Sequence, residues 1–195
     1  METMDNHERA AELQNVWANA FDGWYRLPDA DVDVVFLCPK VQKEQGLEPG
    51  GSLELPATVL ASRVFAVTAW NPLGDACTRE INVAANKELL QEIERLSNTN
   101  NTPRVKCWWE SFGFSSEWRE DGFSIAFGEE EADSGRDAVV ELAQKFKQGA
   151  IYEYIPTSSP FELLRKTVPV LIPGVEADQI MVRCAKPATP NAEHP

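Results

Sequence analysis

Hydrophobic and polar positions change their period several times along this chain, and each change marks an element. From His7 to Trp24 the apolar positions Leu13, Val16, Trp17, Ala20, Phe21 and Trp24 recur at helical spacing, which predicts one amphipathic helix ended near Asp22-Gly23. Asp31 to Cys38 reads as a strand stopped by Pro39, and residues 44–56, with Pro49-Gly50-Gly51 at their centre, carry turn signals. Val64 to Trp70 predicts a buried strand that runs into the polar, proline-stopped turn Asn71-Pro72-Leu73-Gly74-Asp75. A helix follows from about Thr78 to Leu96, with Ile81, Ala85, Leu89, Ile93 and Leu96 on one stripe. Val105 to Phe112 and Gly122 to Phe127 predict two strands joined by a hairpin that contains Trp118-Arg119-Glu120-Asp121. Ser134-Gly135-Arg136-Asp137 resembles a capping box, opening a helix whose stripe is Val139, Leu142, Ala143 and Phe146. Ala150 to Ile155 predicts a short strand closed by Pro156.

The order from Val64 to Ile155 is strand, helix, strand, strand, helix, strand. It predicts an α+β fold with a ferredoxin-like βαββαβ core over about residues 64–155. Residues 1–60 are expected as an N-terminal helix and strand packing on a core of residues 61–156. Residues 157–185 are expected as a C-terminal extension with one helical turn at Phe161 to Arg165 and strands at Val168 to Ile172 and Gln179 to Cys184. The tail 186–195, short of apolar residues and rich in proline, is expected to be disordered.

Composition then narrows the function classes. With 31 acidic against 18 basic residues the net charge is −13, which repels phosphate backbones and disfavours nucleic-acid binding. The longest apolar runs are far shorter than the roughly 20 residues a membrane helix needs, so no membrane insertion is expected, and the acidic start Met1-Glu2-Thr3-Met4-Asp5 carries no secretory pattern. Four widely spaced cysteines, Cys38, Cys77, Cys107 and Cys184, make no Cys-x-x-Cys pair. They suit buried thiols in a reducing compartment, cytoplasmic or an organelle interior. The two histidines, His7 and His194, lie near the termini, which removes most Ser-His, Cys-His and histidine-metal chemistry. No metal site and no cofactor is expected. Glu129-Glu130-Glu131 with Asp133 reads as a solvated helix entrance, since it lacks the alternating oxygen ligands of a calcium loop.

Topology brings one group of polar residues together. If the first two core strands run upward, the Trp70-Asn71 turn, the Trp118-Arg119-Glu120 hairpin and the Gln148-Gly149 junction share one edge, with Asn82 close by. Amide donors and acceptors, a guanidinium, a carboxylate and two indoles suit a polar ligand or a peptide end. The plain structural reading stands beside it: Asn71 caps a turn, Asn82 and Asn86 brace a loop, and the tryptophans cover the end of the core.

Thr68-Ala69-Trp70-Asn71-Pro72, Asn82 with Asn86, Trp118-x-Glu120 before Gly122-Phe123, and Phe146-x-Gln148-x-Ala150-Ile151 together resemble the uncharacterised family called domain of unknown function 3293, over roughly residues 64–153. The resemblance implies a shared edge of polar residues and brings no reaction with it.

Three function classes follow. The favoured one is a noncatalytic binding, assembly or regulatory subunit that uses the edge around Trp70, Asn71, Asn82, Trp118, Arg119, Glu120 and Gln148, with a protein partner or a small polar ligand. An exposed edge strand would also suit homodimerisation. The alternative is a small-molecule enzyme or ligand sensor acting there through Glu120, Arg119 and Asn82. Glu110 and Asp121 are further acid–base candidates and Cys77 and Cys107 nucleophile candidates, but no recognisable catalytic spacing assigns a catalytic residue. An RNA-recognition-like module ranks third, because Asp121-Gly122-Phe123-Ser124-Ile125 lacks the basic residue and second stacking aromatic of that motif.

Overall fold

The computed structural model describes residues 6–42, 53–99 and 102–193. Its strands are β1 (Phe21–Tyr25), β2 (Val34–Pro39), β3 (Arg63–Thr68), β4 (Val105–Phe114), β5 (Arg119–Phe127), β6 (Ala150–Pro156), β7 (Glu162–Pro169) and β8 (Ala177–Cys184). Its longer helices are α1 (Asn6–Ala18), α2 (Arg79–Ser97) and α3 (Ala132–Lys145). The strands close into a barrel in the order β1-β2-β8-β7-β6-β3-β5-β4, with β4 pairing back onto β1 and every pair antiparallel.

Alternation along the strands sorts the side chains into an inside and an outside. Inside, Val64, Ala126, Trp109, Trp24, Val35, Leu37, Tyr154, Leu163 and Met181 form one buried cluster, joined by Leu55 and Val59 around the helical turn Ala57–Leu60. Outside, Phe65, Val67, Phe123, Ile125 and Phe127 pack under Leu89 and Ile93 of α2 and Val139 and Ala143 of α3. Each fully buried side chain of this size contributes about 1.5–3 kcal/mol. A second outer cluster gathers Tyr25, Phe36, Phe112, Phe114 and Val182 with Ala192 of the tail.

Two glycines permit the tight curvature. A Cβ on Gly122 would lie 2.5 Å from the Val67 carbonyl oxygen, and one on Gly23 would lie 2.1 Å from the Phe112 ring that covers it across the β1–β4 pair.

The expected ferredoxin-like α+β sandwich is overturned by this closure. Strands β6, β3, β5 and β4 do lie side by side, with α2 and α3 on their outer face. Their other face is neither open nor covered by loose extensions: β7, β8, β2 and β1 continue the sheet until it meets itself. Segments expected as terminal additions therefore supply half the staves. The helix expected through Trp24 ends at Ala18, and Phe21 to Tyr25 alternate between the two faces as β1. Phe161 to Arg165, expected as a helical turn, leads into and forms part of β7, where Leu163, Arg165 and Thr167 share the buried side. In the tail, residues Pro190–Ala192 form a 3-10 turn and Asn191 donates to the Ser115 carbonyl at 2.9 Å. The connection centred on Pro49-Gly50-Gly51 lies outside the described residues. Among the described residues, no helix is long and apolar enough to cross a membrane.

One buried guanidinium ties α1 to the barrel. Arg165, 1% exposed, donates to the carbonyls of Trp17, Ala18 and Ala20 at 2.9–3.0 Å and to Asp22 Oδ2 at 2.8 Å. The carbonyls of Trp17 and Ala18 are among those that the end of a helix leaves without an intrahelical donor. Burial pushes the Asp22 carboxyl above its ordinary value, and Arg165 offsets part of that rise. Replacing Arg165 with Met should lower stability by about 3–5 kcal/mol, the cost of stranding a buried charge. The double variant Asp22→Asn/Arg165→Met should recover part of that loss in urea melts, and an unrecovered double variant would assign the effect to the lost carbonyl contacts.

Candidate functional site

The inner apolar cluster fills only one end of the barrel. Toward the other end the inward positions become small or polar: Ala66 and Thr68 on β3, Ser111 and Gly113 on β4, Glu120 and Gly122 on β5, Ala150 on β6 and Asp22 on β1. An eight-stranded barrel is just wide enough for side chains to fill or to hold one small ligand, and these short side chains leave a cavity of about 250 Å³. Leu13, Val16 and Trp17, on one stripe of α1, wall it from above, while Trp24, Tyr152 and Tyr154 form its deeper wall. The Tyr152 hydroxyl donates to the Trp17 carbonyl at 3.0 Å, and the Arg165 guanidinium lies 4.5 Å from the Tyr152 ring centroid. The Trp24 indole N–H is buried without a hydrogen-bond partner among the described residues.

At this end of the barrel a run of amides holds one carboxyl in place. Asn71, in the left-handed region at φ 46° and ψ 64°, donates from Nδ2 to Glu120 Oε1 at 2.8 Å. Its orientation is fixed because Oδ1 accepts from the Cys77 backbone N–H and from Asn82 Nδ2, both at 3.0 Å, while its own backbone N–H donates to Asn82 Oδ1 at 3.0 Å. Asn82 sits in the first turn of α2, whose start is capped by the Thr78 hydroxyl. Gln148 donates from Nε2 to the carbonyls of Trp70 and Phe146 at 3.0 and 3.1 Å. Asn86 accepts from the Ala69 N–H and donates to the Asp121 carbonyl, tying β3 to β5 beside the carboxyl.

Glu120 forms no ion pair among the described residues, is half-buried, and lines the cavity. Burial pushes its carboxyl up to about 7, with the Asn71 hydrogen bond opposing the rise. It therefore changes charge near neutral pH, unlike an exposed glutamate.

The segment that carries this amide and carboxyl network corresponds to a known family. Residues 67–151 match the family Protein of unknown function (DUF3293). Neither the curated proteins nor the solved structures contain a match to the chain. The matched segment runs from within β3 to the start of β6, close to the stretch whose resemblance was read from the sequence, and it contains Asn71, Asn82, Trp118, Glu120 and Gln148.

The structure divides the expected site residues into three groups. Asn71, Trp118, Glu120 and Gln148 line the cavity. Asn82, 2% exposed, stands behind Asn71 and positions it. Trp70 and Arg119 border a separate outer hollow with Asp121 and the tail residues Pro190, Asn191 and Glu193, although the Trp70 carbonyl still receives Gln148. Arg119 lies 3.8 Å over the Phe112 ring, donates to the Tyr25 hydroxyl and the Asn191 carbonyl, and pairs with Asp121. Its guanidinium is thus committed away from Glu120. Of the other acid–base and nucleophile candidates, Glu110, Asp121, Cys77 and Cys107 do not line the cavity. No group of three or more metal-ligating side chains occurs among the described residues.

Sequence reasoning missed Asp22, Trp24, Tyr152, Tyr154 and Arg165, all outside or at the margin of the DUF3293 segment. Charged or phenolic residues at alternate positions of apolar strands, as in Tyr152-x-Tyr154 and Leu163-x-Arg165, were the available signal.

The raised Glu120 pKa has a definite sign for stability. The folded protein keeps the proton between about 4.5 and about 7 while the unfolded chain loses it, so stability falls as pH rises through that interval and levels off above it. The Glu120→Gln variant should lose this slope. Near pH 8 it should be more stable than the parent by up to about 3 kcal/mol, reduced by whatever screening the cavity provides. Urea midpoints measured across the interval check both the slope and its disappearance.

Proposed function

We propose that this protein is a small-molecule-binding barrel, acting as a carrier or sensor without catalysis. The single observation that carries the reading is a cavity at the barrel end in which Glu120, the lining carboxyl without an ion pair among the described residues, is held by Asn71. A concave, mostly apolar space with a few convergent polar groups is the usual form of a ligand site. Barrel closure also removes the free sheet edge through which strand-pairing dimerisation would run, which favours a small ligand over an edge-bound protein partner. The compartment that suits the four widely spaced cysteines is a reducing one, cytosolic or organellar.

A second reading, an enzyme that uses Glu120 as a general acid and base, is favoured by one fact, the carboxyl's pKa of about 7. It lacks a second reacting group, because Asp22, the other acid of the cavity, is held by Arg165.

Filling the cavity tests the binding reading. Gly113 lines it, and a Cβ there would meet only the Trp118 ring, at 3.6 Å, so Gly113→Leu should extend into free space. Ala66→Phe should fill it from β3. In a thermal-shift screen of a fragment library, compounds present at about 100 times their Kd should stabilise the parent by about 2.7 kcal/mol, or roughly 5–10 °C. Both filled variants should fold and lose that response. A library with no stabilising compound, or one whose stabilisation survives in both folded variants, would sink the reading.

A further inference from the structure

Resting on the binding reading above, we propose that the cavity takes an organic monocation, an amine whose ammonium group meets Glu120 and whose compact apolar or aromatic body fills the space beneath α1. The charge inventory of the cavity leads there. Among the described residues its acids are Asp22 from β1 and Glu120 from β5, and the cation next to them is Arg165 from β7, which is committed to Asp22 and to three backbone carbonyls. The part of α1 that faces the cavity brings only Leu13, Val16 and Trp17, while Arg9, farther along that helix, pairs with Asp75 and the Leu73 carbonyl. β3 and β4 bring neutral Thr68 and Ser111, β6 brings the phenols Tyr152 and Tyr154, and the junction before β6 brings the neutral amide of Gln148. Once Asp22 and Arg165 cancel, an ionised Glu120 leaves one negative charge uncompensated by the described residues.

Geometry agrees with this inventory. Glu120 Oε1 has one donor, Asn71 Nδ2, and Oε2 receives no hydrogen bond from the described residues, so the carboxylate retains acceptor capacity that an ammonium would use. Trp17, Trp118 and Tyr152 line the same space, and aromatic side chains suit both a cation and an apolar body. The volume, about 250 Å³, lies just below the roughly 300–1,000 Å³ of common ligand pockets, which suits a small body such as a single ring or a short branched chain. The overall charge of −13 draws cations toward the protein.

Such a ligand couples binding to proton release. Near neutral pH a fraction of Glu120 molecules are protonated, and an incoming ammonium must displace that proton. A neutral ligand that accepts a hydrogen bond from the protonated carboxyl would have the opposite linkage.

Calorimetric titrations of the full chain with phenethylamine, n-propylbenzene and 3-phenylpropanoate separate these cases, since the three share one body and differ in head charge. Phenethylamine should bind at least about tenfold more tightly than n-propylbenzene, the size of one charge-assisted hydrogen bond. At pH 7, titrations in two buffers of different ionisation enthalpy should show about half a proton released, and the release should vanish about two pH units higher. In Glu120→Gln, whose fold is checked by circular dichroism and melting, phenethylamine should fall to within about threefold of n-propylbenzene. Equal or tighter binding of n-propylbenzene or 3-phenylpropanoate, or proton uptake, would overturn the cation assignment and leave the cavity reading intact. So would the failure of all three probes while the fragment screen still yields compounds lost in Gly113→Leu and Ala66→Phe. If that screen is also empty, both readings fall.

Discussion

The buried contact between Arg165 and the end of α1 is the constraint on which the working part of this barrel depends. A guanidinium with five donors can satisfy several acceptors from one rigid plane. Here it collects three carbonyls from residues 17, 18 and 20 and the carboxylate of Asp22. It thereby anchors the point at which the chain turns from a helix outside the barrel into its first strand. Leu13, Val16 and Trp17 take their positions above the cavity from that anchor. The Tyr152 hydroxyl on the Trp17 carbonyl, and Arg9 on Asp75 and the Leu73 carbonyl, hold the same helix at two further points. The Arg165 interaction is buried, and a buried ion pair is weak evidence for stability by itself. Its effect here is geometric, since it sets where the helix stops and which way β1 departs.

The amide network around Asn71 is a second, separate constraint. Asn71 occupies a left-handed backbone conformation that few residues adopt readily, and its side chain satisfies the Cys77 N–H, Asn82 and Glu120 together. The turn after β3, the first turn of α2 and the start of β5 are joined by these bonds, so the carboxyl is positioned by three elements rather than by a flexible side chain alone. Gln148 adds a fourth element by holding the Trp70 carbonyl from the segment before β6. All four lie within the DUF3293 match.

Much of the local structure was legible because the segment that matches DUF3293 has clean periods. α2, α3 and strands β3 to β6 fall close to where the apolar spacing predicts them, and the meeting of Asn71, Asn82, Glu120 and Gln148 follows from strand order alone. Closure was not legible there, because β6-β3-β5-β4 is compatible with either an open sheet or a barrel, and the choice is made by β1, β2, β7 and β8. Those strands are poorly marked. In the first, Phe21 and Trp24 fit the helical stripe of α1 as well as they fit a strand, and the helix ends at Ala18, where a residue more than 140 positions away donates to its last carbonyls. In β7, Arg165 interrupts the apolar pattern that would have announced an inward-facing strand, although it is among the most buried side chains. The deeper half of the site was hidden for the same reason, since Asp22, Trp24, Tyr152 and Tyr154 become neighbours only when the sheet curls shut.

Glu120 is the point where folding and function pull apart. A fold built for stability alone would place a glutamine, or an apolar residue, at a position where burial pushes a carboxyl up to about 7. The neighbours do little to relieve this: Arg119, the adjacent cation in sequence, is turned outward to Asp121, Tyr25 and the tail, and Arg165 is saturated by Asp22 and backbone carbonyls. Among the described residues the polar relief is one amide hydrogen bond, made by a residue whose own backbone is in an uncommon conformation. Unfavourable local choices that agree with one another in space, a strained donor aimed at an uncompensated acid beside an unfilled cavity, are characteristic of sites kept for what they bind. Asn71's bonds to Cys77 and Asn82 brace the turn, while its bond to Glu120 holds a carboxyl that lines the cavity, and that second contact is the physical argument for the binding site proposed inside the barrel.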